Sequence, residues 1–359
     1  MKRSVVVGMS GGVDSSVAAL LLKEQGYLVS GLTMQLYRPE NETGTMKGTC
    51  CGASAAQDAA EVCGILGIAH FSVNFEDLFH EKVIDYFAKE YTAGRTPNPC
   101  IACNHHLKWG AMLAWAREHG ADHIATGHYA GVKQLENGRF ALQKSKTAAK
   151  DQTYALYSLT QEMLSATLFP IGAYEKEEVR RIAERAGLPV AKKPDSQEIC
   201  FVPDRDYARF LETEYGGVVP PEGNFVTKDG IVLGRHLGIT HYTIGQRKGL
   251  GLSLGHPVFV SEIRPETNEV VVGEEEEVFT KTVYASDLSY MASEDLKEGH
   301  FLAKVRYNHA GQSAEVRKIG EDRIECRFTE PVRAATPGQA LVLYDGDFVA
   351  GGGVITGAE

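Results

Sequence analysis

The 359 residues carry 37 Lys and Arg against 47 Asp and Glu, a formal net charge of −10, with 43% apolar residues. That length allows two or three domains around a sizeable core, and the acidic balance excludes a protein that attracts nucleic acid over its whole surface. No apolar run approaches the ~20 residues of a membrane helix, and the opening MKRSVVVGMSGG is a short apolar run broken by glycines, so a cytoplasmic protein with no membrane contact is expected.

In chain order, RSVVVGMS predicts a buried strand and VDSSVAALLLKEQG a helix ending at Gly26. YLVSGLTMQL is a second strand, SAAQDAAEVCGILG a second helix, AHFSVNF a third strand and DHIATGHY a later one. Helices alternating with β-rich runs predict a parallel sheet covered on both faces, with ligands at the carboxyl ends of its strands.

After VPDRDYARFLETEYG the texture turns to Gly, Thr and Val, and in FVTKDGIVLGRHLG the triplet Lys228-Asp229-Gly230 predicts a tight hairpin turn. A smaller β-rich domain begins here. Arg235, His236, His241, Arg247, Lys248, His256 and Arg264 stand against one acid, Glu262, and read as a local basic face or, as the ordinary alternative, a solvated surface; the acidic block GEEEEV follows at 273–278. Beyond it, short alternating runs separated by Gly, Asn, Asp and Pro predict a closed antiparallel barrel. The acidic block sets that barrel apart, so the residues before 278 are expected to fold without it.

Three motifs carry chemistry. In GMSGGVDSS the glycines let backbone amides approach an anion, the helix start adds its dipole, and Ser10, Ser15 and Ser16 add hydroxyls, which makes a phosphate cradle. No Lys-Ser/Thr pair closes the loop as in a Walker A motif, and Asp14 beside a triphosphate calls for a magnesium ion between them. RTPNPCIACN holds a CxxC pair, Cys100 and Cys103; structural zinc there would need distant ligands. In KKPDSQEICFV, Cys200 follows Lys192, Lys193, Asp195 and Ser196, and nearby cations lower a thiol pKa; the ordinary alternative is a buried core cysteine. The seven cysteines (Cys50, Cys51, Cys63, Cys100, Cys103, Cys200, Cys326) are an odd number, which argues for metal-binding or catalytic thiols over a disulfide scaffold.

The loop resembles that of the PP-loop ATP pyrophosphatases, which cleave ATP to AMP and pyrophosphate by adenylating a substrate. Taken together, GMSGGVDSS, RTPNPCIACN, TGHYA, KDQTYALY, DSQEICFV and YTIGQRKGLG closely resemble tRNA-specific 2-thiouridylases, in order along the chain. The resemblance implies a PP-loop (adenine nucleotide alpha hydrolase-like) catalytic domain over 1–203, a small β-rich central domain over 204–277 and a tRNA-contacting C-terminal β-barrel over 278–359. It implies adenylation of the C2 oxygen of the wobble uridine, followed by replacement with sulfur. The partners would be the anticodon stem-loop of tRNA and a persulfide or sulfide donor protein.

By the same resemblance, ATP lies on Gly8, Met9, Ser10, Gly11, Gly12, Val13, Asp14, Ser15, Met34 and Gly127, with Mg2+ at Asp14. The target base lies against Asn98, Pro99 and Cys100, and tRNA meets His128, Lys150, Asp151, Gln152, Arg306, Tyr307 and Gln339. Cys103 matches the thiol that attacks and releases sulfur, Cys200 the persulfide carrier, and the two could end in a disulfide bond. Many members have Asp where this chain has Cys100, which leaves the acid/base role of that position open. It also yields three cysteines, Cys100, Cys103 and Cys200, able to hold a 4Fe-4S cluster with one iron open to sulfide. Other readings are a PP-loop synthetase that amidates a small acid, which needs no paired thiols, and a zinc-bound RNA-binding module, which leaves the loop idle. Cys50 and Cys51 have no assigned role beyond packing.

Overall fold

In a computed structural model of the chain, the structure describes residues 3–37, 53–194, 199–202, 204, 206–215 and 219–359. Cys50, Cys51, Asp195 and Ser196 lie outside the described residues.

The β-branched run Val5-Val6-Val7 lies in strand β1 (Ser4–Gly8), which leads through the glycine turn into helix α1 (Val13–Glu24). Then come β2 (Leu28–Gln35), α2 (Ala53–Leu66), β3 (Ala69–Asn74), α3 (Glu76–Phe79), a π-helical stretch, and α4 (Asp85–Thr92). The thiol segment forms α5 (Pro99–Ala102), widens into π-helical turns over Cys103–Ala111, and continues as α6 (Met112–Glu118) into β4 (His123–Ala125). The hairpin β5 (Gly131–Gln134) and β6 (Phe140–Gln143), helix α7 (Gln161–Ser165), β7 (Thr167–Leu168) and α8 (Lys176–Arg185) complete this part. Its parallel sheet has the order β3-β2-β1-β4-β7. Alternation along β1 sorts the two faces: Val5 and Val7 pack with Val17, Leu21 and Val179, while Val6 packs with Phe87, Trp109 and Met112.

The central sheet is β8 (Gly223–Val226), β9 (Val232–His236), β10 (Phe259–Arg264) and β11 (Glu269–Gly273), in the order β10-β11-β8-β9. The expected turn joins β8 to β9: Thr227 N–H donates to Ile231 O at 2.9 Å, and Gly230 takes a positive φ of 85°. The last six strands are β12 (Phe279–Tyr290), β13 (Gly299–Lys304), β14 (Gln312–Gly320), β15 (Arg323–Arg333), β16 (Ala340–Asp345) and β17 (Phe348–Ala358). They run antiparallel, and pairing of β12 with both β15 and β17 closes the barrel.

Two expectations fail here. The barrel is not set apart from the first domain, because β6 adds to β17 through the Phe348–Gln143 pair. Along β16, Leu341 and Leu343 fill the barrel, while Ala340, Val342 and Tyr344 turn outward into the same core as Phe87, Trp109 and Leu156. A period of two lets one strand serve two cores, which linear charge blocks do not reveal. Nor is the stretch from Arg235 to Arg264 a free basic face. Arg235 meets Glu222, His241 meets Glu212, His256 meets Glu274, Arg264 meets both Glu262 and Glu269, and His236 is buried. Arg247 and Lys248, both exposed, are the cations of the stretch with no acidic partner among the described residues.

Candidate active site

The loop between β1 and α1 is shaped by close approach. Gly11 has φ +63°, and a Cβ there would stand 2.4 Å from Ala55 O; at Gly127 a Cβ would stand 2.5 Å from Ser15 N. Ser10 N–H donates to Ser15 Oγ at 3.2 Å, and Ser16 Oγ donates to Gly12 O at 2.8 Å. Gly12 caps α1 without a side chain, so the first amides of the helix have no side-chain acceptor of their own at the cap. The sheet order β2-β1-β4 brings Met34 and Gly127 beside this loop, with Gly8 paired to Leu32 and Met9 N–H donating to Leu32 O. The residues expected at ATP are thus gathered at the carboxyl ends of three neighbouring strands.

Two lysines remote in sequence reach the loop. Lys176, the first residue of α8, is buried, and its Nζ lies 2.8 Å from both carboxylate oxygens of Asp14. Tyr129 OH donates to Asp14 Oδ1 at 2.8 Å, and the ammonium stands 5.7 Å from the Tyr129 ring centroid. Lys193, expected beside Cys200, instead places Nζ on Gly11 O at 2.9 Å and on the Asp58 carboxylate. Sequence reasoning missed Lys176 and Tyr129. One signal was available: a lysine in the first turn of a helix opposes the helix dipole and calls for a nearby anion. The Asp14 carboxylate is therefore engaged by a cation and a phenol, and a magnesium ion would have to compete for it.

In the thiol segment, Asn98 is the N-cap of α5 and accepts from Cys100 N–H at 3.1 Å, with Pro99 buried at the first helical position. Cys100 is exposed at the second position. Cys103 opens the π-helical stretch and packs, half-buried, against the core that also takes Cys200. A cavity of about 480 Å3 lies behind α5, lined by Asn98, Ile101, His105, Tyr86 and Tyr157; Cys100 and Cys103 are not in its wall. Cys63 and Cys326 are core residues whose burial pushes their thiols up to about 11 and about 12. Among the described residues no three His, Cys, Asp or Glu side chains come together as a metal-holding group, so Cys100, Cys103 and Cys200 are not gathered as a ligand set in this structure.

The residues expected at tRNA divide. Tyr307 is partly exposed, 6.1 Å from the Tyr154 ring, and its hydroxyl pKa is raised by burial and then by Asp151 and Cys100. Arg306 turns inward to Arg333 O. Asp151 accepts from Ser145 N–H at 2.7 Å and from Thr153, and Gln152 exchanges two hydrogen bonds with the Tyr129 backbone, so both shape the turn after Lys150. His128 lies between Trp109 and Phe169, bonded to Thr126 Oγ1 at 2.7 Å; burial, then Lys108, holds its imidazole neutral. Gln339 faces the thiol segment.

The family described as tRNA methyl transferase HUP domain matches residues 3–204, the tRNA methyl transferase PRC-barrel domain matches 208–274, and the aminomethyltransferase beta-barrel domain matches 280–355. Over 355 residues the chain is 59% identical to the tRNA-specific 2-thiouridylase MnmA of Lachnoclostridium phytofermentans, covering 98% of this chain and 99% of the relative. Proteins of the same name from Clostridioides difficile and Carboxydothermus hydrogenoformans are 50% and 52% identical over 357 residues, each covering 99% of this chain and 98% of the relative. With an anion loop, paired thiols and a closing barrel in one continuous structure, and with that identity along its length, the chain belongs to the tRNA-specific 2-thiouridylase family.

Proposed function

We propose that the chain is an ATP-dependent tRNA 2-thiouridylase acting in the cytoplasm, with the residue roles that follow. ATP lies on the loop from Gly8 to Ser15 between Met34 and Gly127, its phosphates against the loop amides, with Lys176 and Lys193 offsetting the carboxylates of Asp14 and Asp58 beside it. Attack by the uridine C2 oxygen on the α-phosphorus forms the adenylated base and releases pyrophosphate; AMP is then a good leaving group where the oxygen alone is poor. A donor protein loads Cys200 as a persulfide. Its terminal sulfur bonds to C2 as AMP departs, Cys103 thiolate attacks Cys200 Sγ, the sulfur–sulfur bond breaks, and 2-thiouridine leaves. The two thiols end as a Cys103–Cys200 disulfide, and a thiol reductant resets them.

The observation that carries this reading is the packing of Cys103 and Cys200 from distant segments against one core, with a partly exposed Tyr307 within electrostatic reach of Cys100. Tyr307 offers a stacking face for an unstacked base. Asn98 and Pro99 hold the target base by placing the start of α5, and His128 lends a neutral ring. Magnesium, when present, would travel with the nucleotide phosphates. The test is incubation of unmodified tRNA with ATP, a persulfide donor and the protein, followed by nucleoside mass spectrometry. One 2-thiouridine per tRNA with matching AMP is expected; AMP release driven by a small acid without RNA would overturn the reading in favour of a synthetase.

A further inference from the structure

We propose that Gln339 is a positioning residue, through which the β-barrel holds the thiol segment in place; the proposal rests on the reading of this site as a thiolation site. The Gln339 amide is turned inward: Nε2 donates to Thr96 O at 2.8 Å and to Pro97 O at 3.3 Å. In return, Thr96 N–H donates to Pro337 O at 2.9 Å. Between them Gly338 has φ +91°, and a Cβ there would stand 3.0 Å from Thr96 N and 3.1 Å from Arg95 Cβ. The two backbones therefore touch where any larger residue would push them apart.

The thiol segment needs this support. In Thr96-Pro97-Asn98-Pro99 two of four residues lack an N–H, and the stretch between α4 and α5 lies in neither helix nor strand. Its carbonyls at Thr96 and Pro97 find their donor in the barrel. The barrel loop is itself fixed to β17 by Gly338 N–H to Ile355 O at 2.9 Å and Ile355 N–H to Gln339 O at 2.8 Å. Since Asn98 caps α5, a shift at Pro97 moves the helix that presents Cys100 and Cys103. A misplacement of about 1 Å at a reacting group lowers rate by roughly 100-fold.

The experiment compares the full-length protein with Gln339→Ala and with Gln339→Glu, which keeps the shape but has no proton to donate to a carbonyl at neutral pH. Three quantities are measured: backbone hydrogen exchange over 95–103 without RNA, the dissociation constant for tRNA, and the single-turnover thiolation rate. Both variants should exchange the Thr96 amide about fivefold faster. Both should lose at least about tenfold in rate, with tRNA affinity in Gln339→Ala within about twofold of the parent. Unchanged exchange with affinity lost in step with rate would make Gln339 an RNA contact and overturn the proposal. If the parent itself transfers no sulfur, the exchange arm still reads the clamp, so failure of the thiolation reading and failure of the clamp are distinguishable.

Discussion

The ammonium of Lys176 grips both carboxylate oxygens of Asp14 at 2.8 Å, across 162 residues of the same chain, and so offsets the carboxylate that the nucleotide loop carries. Breaking one partner of a largely buried pair costs about 3 kcal/mol, whereas losing both costs less than the sum. Lys176→Met and Asp14→Ala should each reduce pyrophosphate release by about 100-fold or more, and the double variant should be no worse than the poorer single one. Strictly multiplicative losses would mean that the two residues act separately.

Burial, then Arg306 and Lys304, lowers the His309 pKa from 6.5 to about 4. Burial likewise lowers His70, His106, His128 and His236. A folded state that resists protonation binds fewer protons than the unfolded chain between about pH 4 and 6.5, so stability falls as pH drops through that window. Denaturant midpoints recorded between pH 7 and pH 4.5 should decrease steadily, and His309→Gln should flatten part of the slope. A midpoint independent of pH would contradict the assignment.

The elements of the first sheet were legible because apolar runs, helical periodicity and glycine turns are local signals; the glycines of the loop stand out within nine consecutive residues, but the approach of Ala55 O that Gly11 makes room for does not. Partnerships made at long range were not legible. Lys176 to Asp14, Lys193 to Gly11 and Gln339 to Thr96 all depend on topology that spacing does not encode. The pairing of the basic stretch was hidden for the same reason: its acids, Glu212, Glu222 and Glu274, lie on other elements. The barrel looked separable because the acidic block at 273–278 marks a boundary in the sequence, whereas the apolar run along β16 does not say that its two faces enter different cores.

Arg247 and Lys248, in the connection between β9 and β10, are exposed and have no acidic partner among the described residues. If they neutralise one RNA phosphate each, Arg247→Ala/Lys248→Ala should lower the slope of log affinity against log salt by about 1.4 to 1.8. An unchanged slope with tRNA would remove this loop from the interface.

Truncation before the barrel should not leave a working first domain. Removing residues from 278 onward takes Met291, Val342, Tyr344 and Val349 out of the core shared with Phe87 and Leu156, and strips the partner strand from β6. Each large side chain lost from a packed core costs about 2–5 kcal/mol, and several together exceed the ~5–15 kcal/mol of a typical domain. The fragment should be insoluble or show no cooperative melt. A fragment that melts sharply and binds ATP would mean the two parts share surface rather than a core.

The thiols separate the two routes to sulfur. Cys103→Ser and Cys200→Ser should each abolish thiolation while leaving ATP binding intact, because a serine oxygen neither carries persulfide sulfur nor attacks it. Cys100 is exposed at the second position of α5, outside the core that takes Cys103 and Cys200, and close enough to Tyr307 to raise its pKa. On the persulfide route it acts only as a local acid or base, where the resemblance allows Asp, so Cys100→Asp should keep most activity with a persulfide donor in air. On a cluster route the same variant would lose a thiolate ligand, and carboxylate is a poorer ligand for iron–sulfur chemistry. Thiolation by the parent and Cys100→Asp, measured with and without prior chelation, decides it. Activity that follows iron content and vanishes in Cys100→Asp would make sulfide on iron the nucleophile, whereas chelator-resistant turnover in both proteins places the transferred sulfur on Cys200.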